Sequence, residues 1–389
     1  MLSDRPVTVL GAGIGGLAAA SALAQRGARV RVLEQAAEIR EVGAGLQISP
    51  NGLAVLCALG LDTALAERSV AAERIILHNA DGRRLQVLSL DRLPLPLPWL
   101  LVHRADLIAV LAEAARQAGV EIVLDAGVRD VRVDNEAAAL VTADGATDSA
   151  PLLVGADGLR SVTRGVVAPE SRARFTGQTA WRAIVPLDDP APPQVRVYLG
   201  AGRHVVAYPL RDRRQMNLVA VVEEVDWREE TWSHEGDADL LRFRFRDFGD
   251  GVRDLLDRVE VTHVWGLFRH PVARPWHRGP VALLGDAAHP TLPFLAQGAC
   301  MALEDAWVLA ACLDAAPSHE VGFAAYEDRR RARCVRIVAG ANRNARLFHL
   351  RDGPVRMLAH SGLKIAGTLA PHFALRQFNW LYGEDVTAG

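Results

Sequence analysis

A glycine-rich turn near the start of the sequence has the residue types and spacing needed to bind phosphate groups. Residues 11–16 read Gly-Ala-Gly-Ile-Gly-Gly, between a short apolar run and an alanine-rich segment. In a strand–turn–helix unit, Gly11 permits the tight turn, Gly13 lets the backbone approach a pyrophosphate, and Gly16 lets helix and strand pack closely. The N-terminus of the helix then presents free N–H groups to the phosphates. The pattern therefore predicts a dinucleotide-binding turn.

An acid follows this turn at the distance that a ribose contact requires. Val30–Leu33 reads as a second buried strand, and Glu34 stands at its end, 21 residues after Gly13. A carboxylate in this place can bind a ribose hydroxyl. Strand, helix, strand and acid together favour a nucleotide site over a glycine turn that binds nothing. They leave the choice between NAD and FAD open.

Two later strands also end in glycine and aspartate. Leu152–Val154 leads into Asp157, and Val281–Leu284 leads into Asp286, which can accept hydrogen bonds from sugar-alcohol hydroxyls. Taken alone, Asp157 is more typical of a helix-capping residue than of a ligand. His289, which follows Asp286 and precedes a proline, is more typical of a packed histidine than of a catalytic one.

The elements that must position these residues change character along the chain. The first part alternates buried strands with helices such as Ala105–Ala118, which indicates a parallel sheet with helical crossovers. From Thr179 to Val222 the sequence alternates like an antiparallel sheet with one covered face. From Gly298 onward the pattern is mostly helical, and the start of that helix can face an anion or the edge of an electron-rich ring. A discontinuous nucleotide-binding domain with a second domain inserted in it accounts for this order.

Composition and charge argue against several classes of protein. The chain has 389 residues and a net charge of −2, which gives no reason to expect nucleic acid or an acidic membrane as a partner. Four cysteines without metal-binding spacing predict neither a disulfide framework nor a metal site. No apolar run reaches the ~18 residues of a membrane helix. The chain enters a strand directly after Pro6, so we expect no signal peptide and a cytoplasmic location.

These motifs together resemble one family, the single-component (class A) FAD-dependent aromatic monooxygenases. The branch that they resemble contains salicylate hydroxylase, 3-hydroxybenzoate 6-hydroxylase and 6-hydroxynicotinate 3-monooxygenase. The likeness covers nearly the whole chain, through residues 11–16, 102–107, 155–164 and 285–290 to Trp380–Gly383. It implies an α/β (α+β overall) fold, with a Rossmann-like FAD-binding domain, an inserted antiparallel-sheet substrate domain and C-terminal helices.

The resemblance and the order of the elements together predict where the domains lie. We expect a discontinuous FAD-binding domain, a substrate-binding β-sheet domain and a C-terminal helical segment. Their respective ranges are 1–70, 101–172 and 270–340 for the first, 71–100 and 173–269 for the second, and 341–389 for the third. A monomer or a homodimer is expected.

The resemblance implies that FAD is bound along its whole length by residues far apart in the sequence. Gly11, Gly13, Gly16 and Glu34 would hold the ADP half. The remaining contacts would come from Arg104 near the pyrophosphate or the ribityl chain, Asp157 at the pyrophosphate and at the passing nicotinamide cofactor, Asp286 at the ribityl chain, and Pro293 to Gly298 beside the isoalloxazine ring. Gln297 in that last segment could reach the substrate.

The chemistry of this family depends on its cofactor. NADH or NADPH reduces FAD, and the reduced flavin forms with O2 a C4a-hydroperoxide that hydroxylates an electron-rich ring. The implied function is hydroxylation of a small phenolic or heteroaromatic acid. One alternative is hydroxylation of another ring class, urate-like or polycyclic, and another is a non-catalytic flavin-binding protein. A halogenase is disfavoured because no tryptophan fits the Trp-x-Trp-x-Ile-Pro motif. Members of this family lack a second Rossmann unit for the nicotinamide cofactor. This sequence agrees, because no second GxGxxG motif follows a strand.

His204 is the candidate base that ionises the phenol, and Tyr208 is its companion in the pocket. Residues 203–210 read as a strand, in which His204, Val206 and Tyr208 share one face, with the outer two ~13 Å apart. An imidazole can take a phenolic proton near neutral pH. The related hydroxylases carry a His and a Tyr with this spacing. An exposed strand histidine is the alternative interpretation.

Trp181, Arg182 and Pro293 are further candidates for lining the pocket. Trp181 and Arg182 are expected on a strand next to that of His204, although a tryptophan in a sheet is more often part of the core. Gln47 stands where one branch of the family has a pocket histidine. This departure leaves the identity of the ring open.

Overall fold

The computed structural model describes residues 2–39, 44–90, 97–134, 136–170, 172–224, 234–369 and 377–388. The strands are β1 (Pro6–Leu10), β2 (Arg29–Leu33), β3 (Gly45–Ile48), β4 (Ser69–Ala72), β5 (Arg74–Asn79), β6 (Arg84–Ser89), β7 (Trp99–His103), β8 (Glu121–Val123), β9 (Val128–Val133), β10 (Ala138–Thr142), β11 (Thr147–Ala150), β12 (Leu153–Gly155), β13 (Arg174–Pro186), β14 (Gln194–Gly200), β15 (Arg203–Leu210), β16 (Gln215–Glu223), β17 (His234–Gly236), β18 (Thr262–Arg269), β19 (His277–Arg278) and β20 (Val281–Leu283). The helices are α1 (Ile14–Ala24), α2 (Pro50–Ala58), α3 (Asp62–Ala66), α4 (Arg104–Gln117), α5 (Val162–Val167), α6 (Ala238–Arg244), α7 (Asp250–Asp257), α8 (Gly298–Ala315), α9 (His319–Phe348), α10 (Pro354–Leu369) and α11 (Asn379–Tyr382).

A six-stranded sheet carries the glycine-rich turn and has the order β19-β20-β12-β1-β2-β8. The strands from β20 to β8 are parallel to one another, and the edge strand β19 is antiparallel to β20. Strands β12 and β20 are buried at every position, and β1 is buried at every position after Pro6. Such continuous burial is typical of parallel strands that are covered on both faces.

Helix α1 packs closely because its residues are small. Nine of its eleven residues are buried, and it contacts α4 and α8 as well as β1 and β2. Alanine keeps a helix at little conformational cost, and its short side chain lets neighbouring elements approach. Gly27, beyond the end of α1, has a φ of +90°, a conformation that favours glycine.

An eight-stranded sheet has the order β17-β18-β13-β16-β15-β14-β5-β6. Its neighbouring strands are antiparallel, except that β14 and β5 are parallel. One face carries a second core, in which Val205 and Ala207 of β15 lie in one cluster with Leu241 of α6 and Leu256 of α7. Because side chains alternate along a strand, the residues between them point to the opposite face.

The predicted fold class is confirmed, with two differences in detail. Two further three-stranded sheets, β3-β7-β4 and β9-β10-β11, stand apart from the larger ones. Helix α9 is continuous through the domain boundary predicted at 340/341, so that boundary falls inside a helix.

The other predicted domain boundaries remain predictions, although β5 and β6 do join the sheet built by strands from 173–269. Within the described ranges, no helix combines the length and the hydropathy needed to cross a membrane.

A buried cluster of charges joins α8 to α9. The guanidinium of Arg330 lies 2.6 Å from Glu304 and 2.7 Å from Asp305, and all three side chains are at most 1% exposed. Arg333 contacts Glu304 at 2.8 Å. Burial alone would raise the pKa of Glu304 and of Asp305, but the cations facing them hold both pKa values below the usual range. Each charge therefore needs its partner, because an unpaired buried charge is strongly destabilising.

Replacing Arg330 by methionine should therefore lower the free energy of unfolding by about 3–5 kcal/mol, because it leaves two carboxylates buried without their shared cation. Chemical denaturation of the FAD-loaded protein measures the change. Arg343→Met, at an exposed position of the same helix, is the matched control and should change stability by less than about 0.5 kcal/mol. Equal stability of the two variants would contradict a structural role for Arg330.

Candidate active site

Three strand ends meet at one edge of the six-stranded sheet. Leu10 of β1 pairs with Gly155 of β12, and Gly155 pairs with Leu283 of β20. Because the strands are parallel, the segments that follow them lie side by side. The glycine-rich turn, the loop containing Asp157 and the turn containing Asp286 are thereby brought together.

The glycines of the turn differ in what surrounds them. Gly11 has a φ of +105°, and a Cβ there would lie 2.5 Å from the carbonyl oxygen of Ala156. At Gly16 a Cβ would lie 1.9 Å from the carbonyl oxygen of Gly11, so the turn and the helix could not pack as they do. A Cβ at Gly13 would meet no atom within 4 Å, and Gly13 lines a large cavity. Two glycines thus serve the fold, whereas Gly13 leaves room for a ligand.

Glu34 supports the turn from the neighbouring strand. Its carboxylate accepts hydrogen bonds from the backbone N–H of Ala12 at 2.7 Å and from that of Ala36 at 3.0 Å. The predicted ribose contact of Glu34 therefore stays a prediction, made by an acid whose orientation the protein itself fixes.

A cavity of about 850 Å³ extends from this turn to the eight-stranded sheet. Its lining includes Gly13, Arg104 and Asp286 as well as Pro293 and Gly298, and on the other sheet Arg182, His204 and Tyr208. The volume is within the range of small-molecule and cofactor sites. Most of the residues predicted for the cofactor and the substrate thus face one space.

Asp286 and Arg104 place opposite charges in this cavity. The Asp286 side chain is exposed to the cavity, yet protein surrounds it closely enough that desolvation raises its pKa, against the pull of His289 and Arg104. Burial and, to a smaller extent, the neighbouring Arg182 lower the pKa of Arg104 to about 10, while Asp286 opposes the shift. Arg104 is fixed at the start of α4, where His103 caps the helix by accepting from the Ala105 N–H at 3.2 Å.

Asp157 is engaged within its own loop. Its carboxylate accepts hydrogen bonds from the Ser161 hydroxyl at 2.5 Å, the Thr163 N–H at 3.0 Å and the Thr163 hydroxyl at 2.9 Å. Arg164 on the same helix donates to the carbonyl oxygens of Ala287 and Ala288 at 2.7 and 3.0 Å, which ties this loop to the turn of Asp286. The contacts of Asp157 therefore support a capping role, and its binding of the cofactors stays a prediction.

Gln297 lines the cavity but is held by a buried polar network. Its Nε2 donates to the Ser49 hydroxyl at 2.8 Å, and its Oε1 accepts from Asn51 Nδ2 at 3.0 Å. Asn51 Nδ2 also donates to Glu304 at 2.6 Å, which connects the network to the charges behind α8. Neither Ser49 nor Asn51 was predicted, because only the fold brings them beside a residue almost 250 positions away. Contact of Gln297 with a substrate stays a prediction.

Strand β15 presents His204, Val206 and Tyr208 to the cavity, as its alternation predicted. Tyr208 approaches the backbone of β3 so closely that a Cβ at Gly45 would lie 2.6 Å from its ring. Burial raises the pKa of Tyr208, while the cation of Arg182 opposes that shift. Tyr208 is therefore a neutral hydroxyl at neutral pH.

Arg182 faces the cavity, and its guanidinium lies over the ring of Trp265, 4.4 Å from the centroid. Among the described residues it has no ion pair, and its buried Nε has no hydrogen-bond partner. Trp181 requires a correction, because it lies in the core on the opposite face of the sheet, packed with Val205 and Leu241. Adjacent residues of a strand point to opposite faces, so Trp181 and Arg182 cannot both line the pocket.

His349 is a further residue of this site that the sequence did not indicate. Its Nε2 lies 2.8 Å from Nδ1 of His204, and both rings are buried. Burial lowers the pKa of His349 to about 4. Burial also lowers the pKa of His204 well below its usual value, and the nearby His349 adds to that shift. His204 is therefore a neutral imidazole near pH 7. The two residues are 145 positions apart, so no local pattern could pair them.

His289 behaves as the packed histidine that its position indicated. It is fully buried beside Trp276, and its Nε2 forms a short hydrogen bond with Asp305. This bond connects the turn of Asp286 with the charges of α8.

Comparison with known proteins identifies the family. A family model described as an FAD binding domain matches residues 4–341. The chain is 34% identical over 397 aligned residues to 3-hydroxybenzoate 6-hydroxylase of Polaromonas naphthalenivorans (strain CJ2), covering 99% of this chain and 97% of that protein. It is 37% identical over 406 residues to 3-amino-4-hydroxybenzoate 2-monooxygenase of Streptomyces cremeus, covering 99% and 96%.

Solved structures share the fold. HpxO of Klebsiella pneumoniae, complexed with FAD and uric acid, superimposes with a TM-score of 0.83 at 26% identity, covering 92% of each chain. A salicylate hydroxylase in a substrate complex gives a TM-score of 0.82 at 24% identity, covering 99% of this chain and 96% of that one. The chain belongs to the FAD-binding family of flavoprotein aromatic monooxygenases. FAD is its cofactor, and NADH or NADPH is the co-substrate that this class uses.

A substitution at Gly13 tests whether the open side of the turn holds FAD. Gly13→Ala should fold normally, because its methyl group meets no protein atom. It should weaken FAD binding at least about tenfold, since losing one hydrogen bond to a charged group costs about 1.5–3 kcal/mol. Flavin fluorescence during titration of the apoprotein measures the affinity.

Gly165→Ala is the control, because a Cβ at Gly165 also meets nothing within 4 Å and the position lies in α5. It should leave FAD affinity unchanged. Wild-type affinity in Gly13→Ala would show that the pyrophosphate does not approach this glycine.

Proposed function

We propose that the protein hydroxylates a small phenolic acid, whose carboxylate binds Arg182 and whose hydroxyl faces His204. The observation that carries this proposal is the guanidinium of Arg182, which lies in the cavity without an ionic partner among the described residues. A buried cation is costly unless it is paired. A guanidinium favours carboxylates, which it binds through two parallel hydrogen bonds. A bound acid would therefore complete the site.

The relatives support the same class of substrate. Two of them are named for 3-hydroxybenzoate and 3-amino-4-hydroxybenzoate, and each of these compounds carries a carboxylate and a hydroxyl on one ring. The cavity offers a cation at Arg182 and a neutral imidazole at His204, which match the two substituents. The ring itself would lie against the apolar side chains of the lining, such as Val206 and Phe294.

His204 suits the role of the base because burial keeps it neutral. Its Nδ1 faces His349, so its Nε2 is left to accept the proton of a phenol in the cavity. Ionising the phenol makes the ring more electron-rich, and general-base catalysis contributes roughly 10²–10⁴-fold. The cation of Arg182 also favours the phenolate by charge.

The residues of the other sheet fit FAD. Gly13 leaves space for the pyrophosphate, and Asp286 and Arg104 offer an acceptor and a cation within the same cavity. Pro293 to Gly298 would lie beside the ring system. When bound, FAD supplies the activation of O2 and the transfer of oxygen. The protein supplies orientation and an apolar enclosure that excludes water. A cytoplasmic location and a monomeric or homodimeric state stay predictions.

A substrate screen tests the proposal. The FAD-loaded protein is given NADH or NADPH, O2 and one of four compounds: 3-hydroxybenzoate, 3-amino-4-hydroxybenzoate, 6-hydroxynicotinate or uric acid. We expect at least one of the acids to stimulate nicotinamide oxidation and to yield a hydroxylated product by mass spectrometry. Turnover of uric acid alone would contradict the proposal and favour a urate-like ring.

The carboxylate contact is tested by Arg182→Met. It should lower kcat/KM for the accepted acid by roughly 10–150-fold, because a hydrogen bond to a charged group contributes about 1.5–3 kcal/mol. Arg174→Met, at an exposed position of the same strand, is the control and should not affect kcat/KM. If both variants turned over the acid as well as the wild type does, Arg182 would not bind the carboxylate.

The base is tested by His204→Ala, which should retain FAD and lose roughly 10²–10⁴-fold in hydroxylation. In the wild type the neutral imidazole is the active form, and its pKa is lowered. The rate should therefore stay constant as pH falls through about 6.5, the usual pKa of histidine, and decline only at more acidic pH. His319→Ala, at the far end of α9, is the control. A decline centred at the usual histidine pKa would refute the assignment.

A further inference from the structure

His204 belongs to a row of polar side chains that leads out of the cavity. Its Nδ1 lies 2.8 Å from Nε2 of His349, the residue that caps the C-terminus of α9. The other nitrogen of His349, Nδ1, lies 3.7 Å from Oε1 of Glu223. The Glu223 side chain is 39% exposed. Three titratable groups thus connect the cavity with solvent.

We propose that His349 and Glu223 form a proton relay that carries to solvent the proton which His204 accepts from the bound phenol. The proposal rests on the proposed function, because it requires a phenolic substrate in front of His204. His349 and Glu223 do not contact that substrate. They act through His204 as positioning residues, because they take over the proton only after His204 has accepted it.

The transfer leaves no charge behind on the two rings. The phenol O–H bond breaks as a proton bonds to Nε2 of His204, and the Nδ1–H proton of His204 passes to Nε2 of His349. The Nδ1–H proton of His349 passes to the Glu223 carboxylate through one bridging water, because the two groups are 3.7 Å apart, and from there it passes to solvent. Each imidazole loses one proton as it gains another, so both rings are neutral at the end.

The surroundings of His204 and His349 favour transfer of a proton over its retention on either ring. The rings of Phe294 and Phe348 lie 5.3 Å from that of His204, so an imidazolium there would be poorly solvated. Among the residues that the structure describes, the charged groups close to His349 are Glu223 and, beyond it, Arg351, whose guanidinium lies 3.4 Å from the Glu223 carboxylate. A base that cannot hold a proton for long needs a route for releasing it.

Gln178 can hold His349 in either tautomer. Its side-chain amide lies 3.1 Å from Nδ1 of His349, and its Oε1 has no hydrogen-bond partner among the described residues. The amide nitrogen donates to Nδ1 when that atom carries no proton. Turned over, the amide presents its oxygen to an Nδ1–H. Both states that the relay requires are therefore compatible with this neighbour.

The relay predicts a slower proton release when His349 is replaced by glutamine, which can hydrogen-bond His204 but cannot pass on a proton. The probe is 3-hydroxy-4-nitrobenzoate, a phenolic acid whose phenolate absorbs visible light. It is mixed with FAD-loaded protein in a stopped-flow instrument, and a pH indicator records the proton that reaches solvent. We expect release at least about tenfold slower in His349→Gln than in the wild type, with the Kd of the probe within about threefold.

His319→Gln is the matched control, because His319 lies at the opposite end of the same helix. It should release the proton at the wild-type rate. Glu223→Gln gives the same test from the solvent end and does not disturb a buried residue, so it serves if His349→Gln loses FAD. It should also slow the release, and added imidazole buffer should restore the rate.

The outcomes separate the relay from the proposed function. Binding of the probe with equal release rates in the wild type and in the variants would overturn the relay alone. If Glu223→Gln released the proton slowly and added imidazole did not restore the rate, the effect of the substitution would be structural. That result would also overturn the relay. Failure of the wild type to bind the probe would overturn the phenolic-acid substrate, and the relay with it.

Discussion

The side-by-side alignment of β1, β12 and β20 is the constraint on which the rest of the structure depends. Parallel strands end at the same edge of their sheet, so three segments far apart in the sequence meet there. The close packing of Gly16 against the backbone of Gly11 sets the distance between turn and helix. Gly13 is left facing the cavity, and the turn of Asp286 comes to line the same space.

Two arginines, Arg330 in the core and the half-buried Arg182 at the cavity, differ in how their charges are met. Arg330 forms ion pairs with Glu304 and Asp305, so its charge is neutralised within the protein. Arg182 lies over Trp265 in the cavity, where the described residues offer it no ion pair. The first arrangement holds two helices together behind the site. The second leaves a cation facing the cavity, and the proposed preference for acids rests on it.

Much of this could be predicted from the sequence, because the signals are local. The glycine spacing, the strands ending in Asp157 and Asp286, and the face shared by His204 and Tyr208 each depend on a few consecutive residues. Other features could not be predicted. Which face Trp181 takes depends on the register of the sheet, and His349 reaches His204 only through tertiary packing.

We propose that one cavity holds the flavin and, at Arg182, an acidic phenol. The most direct measurement is the absorbance difference spectrum of bound FAD during titration with 3-hydroxybenzoate and with its neutral amide, 3-hydroxybenzamide. We expect the acid to perturb the flavin spectrum and to bind at least about tenfold more tightly than the amide, since a hydrogen bond to a charged group contributes about 1.5–3 kcal/mol. Equal affinities, or a flavin spectrum that the acid leaves unchanged, would contradict it.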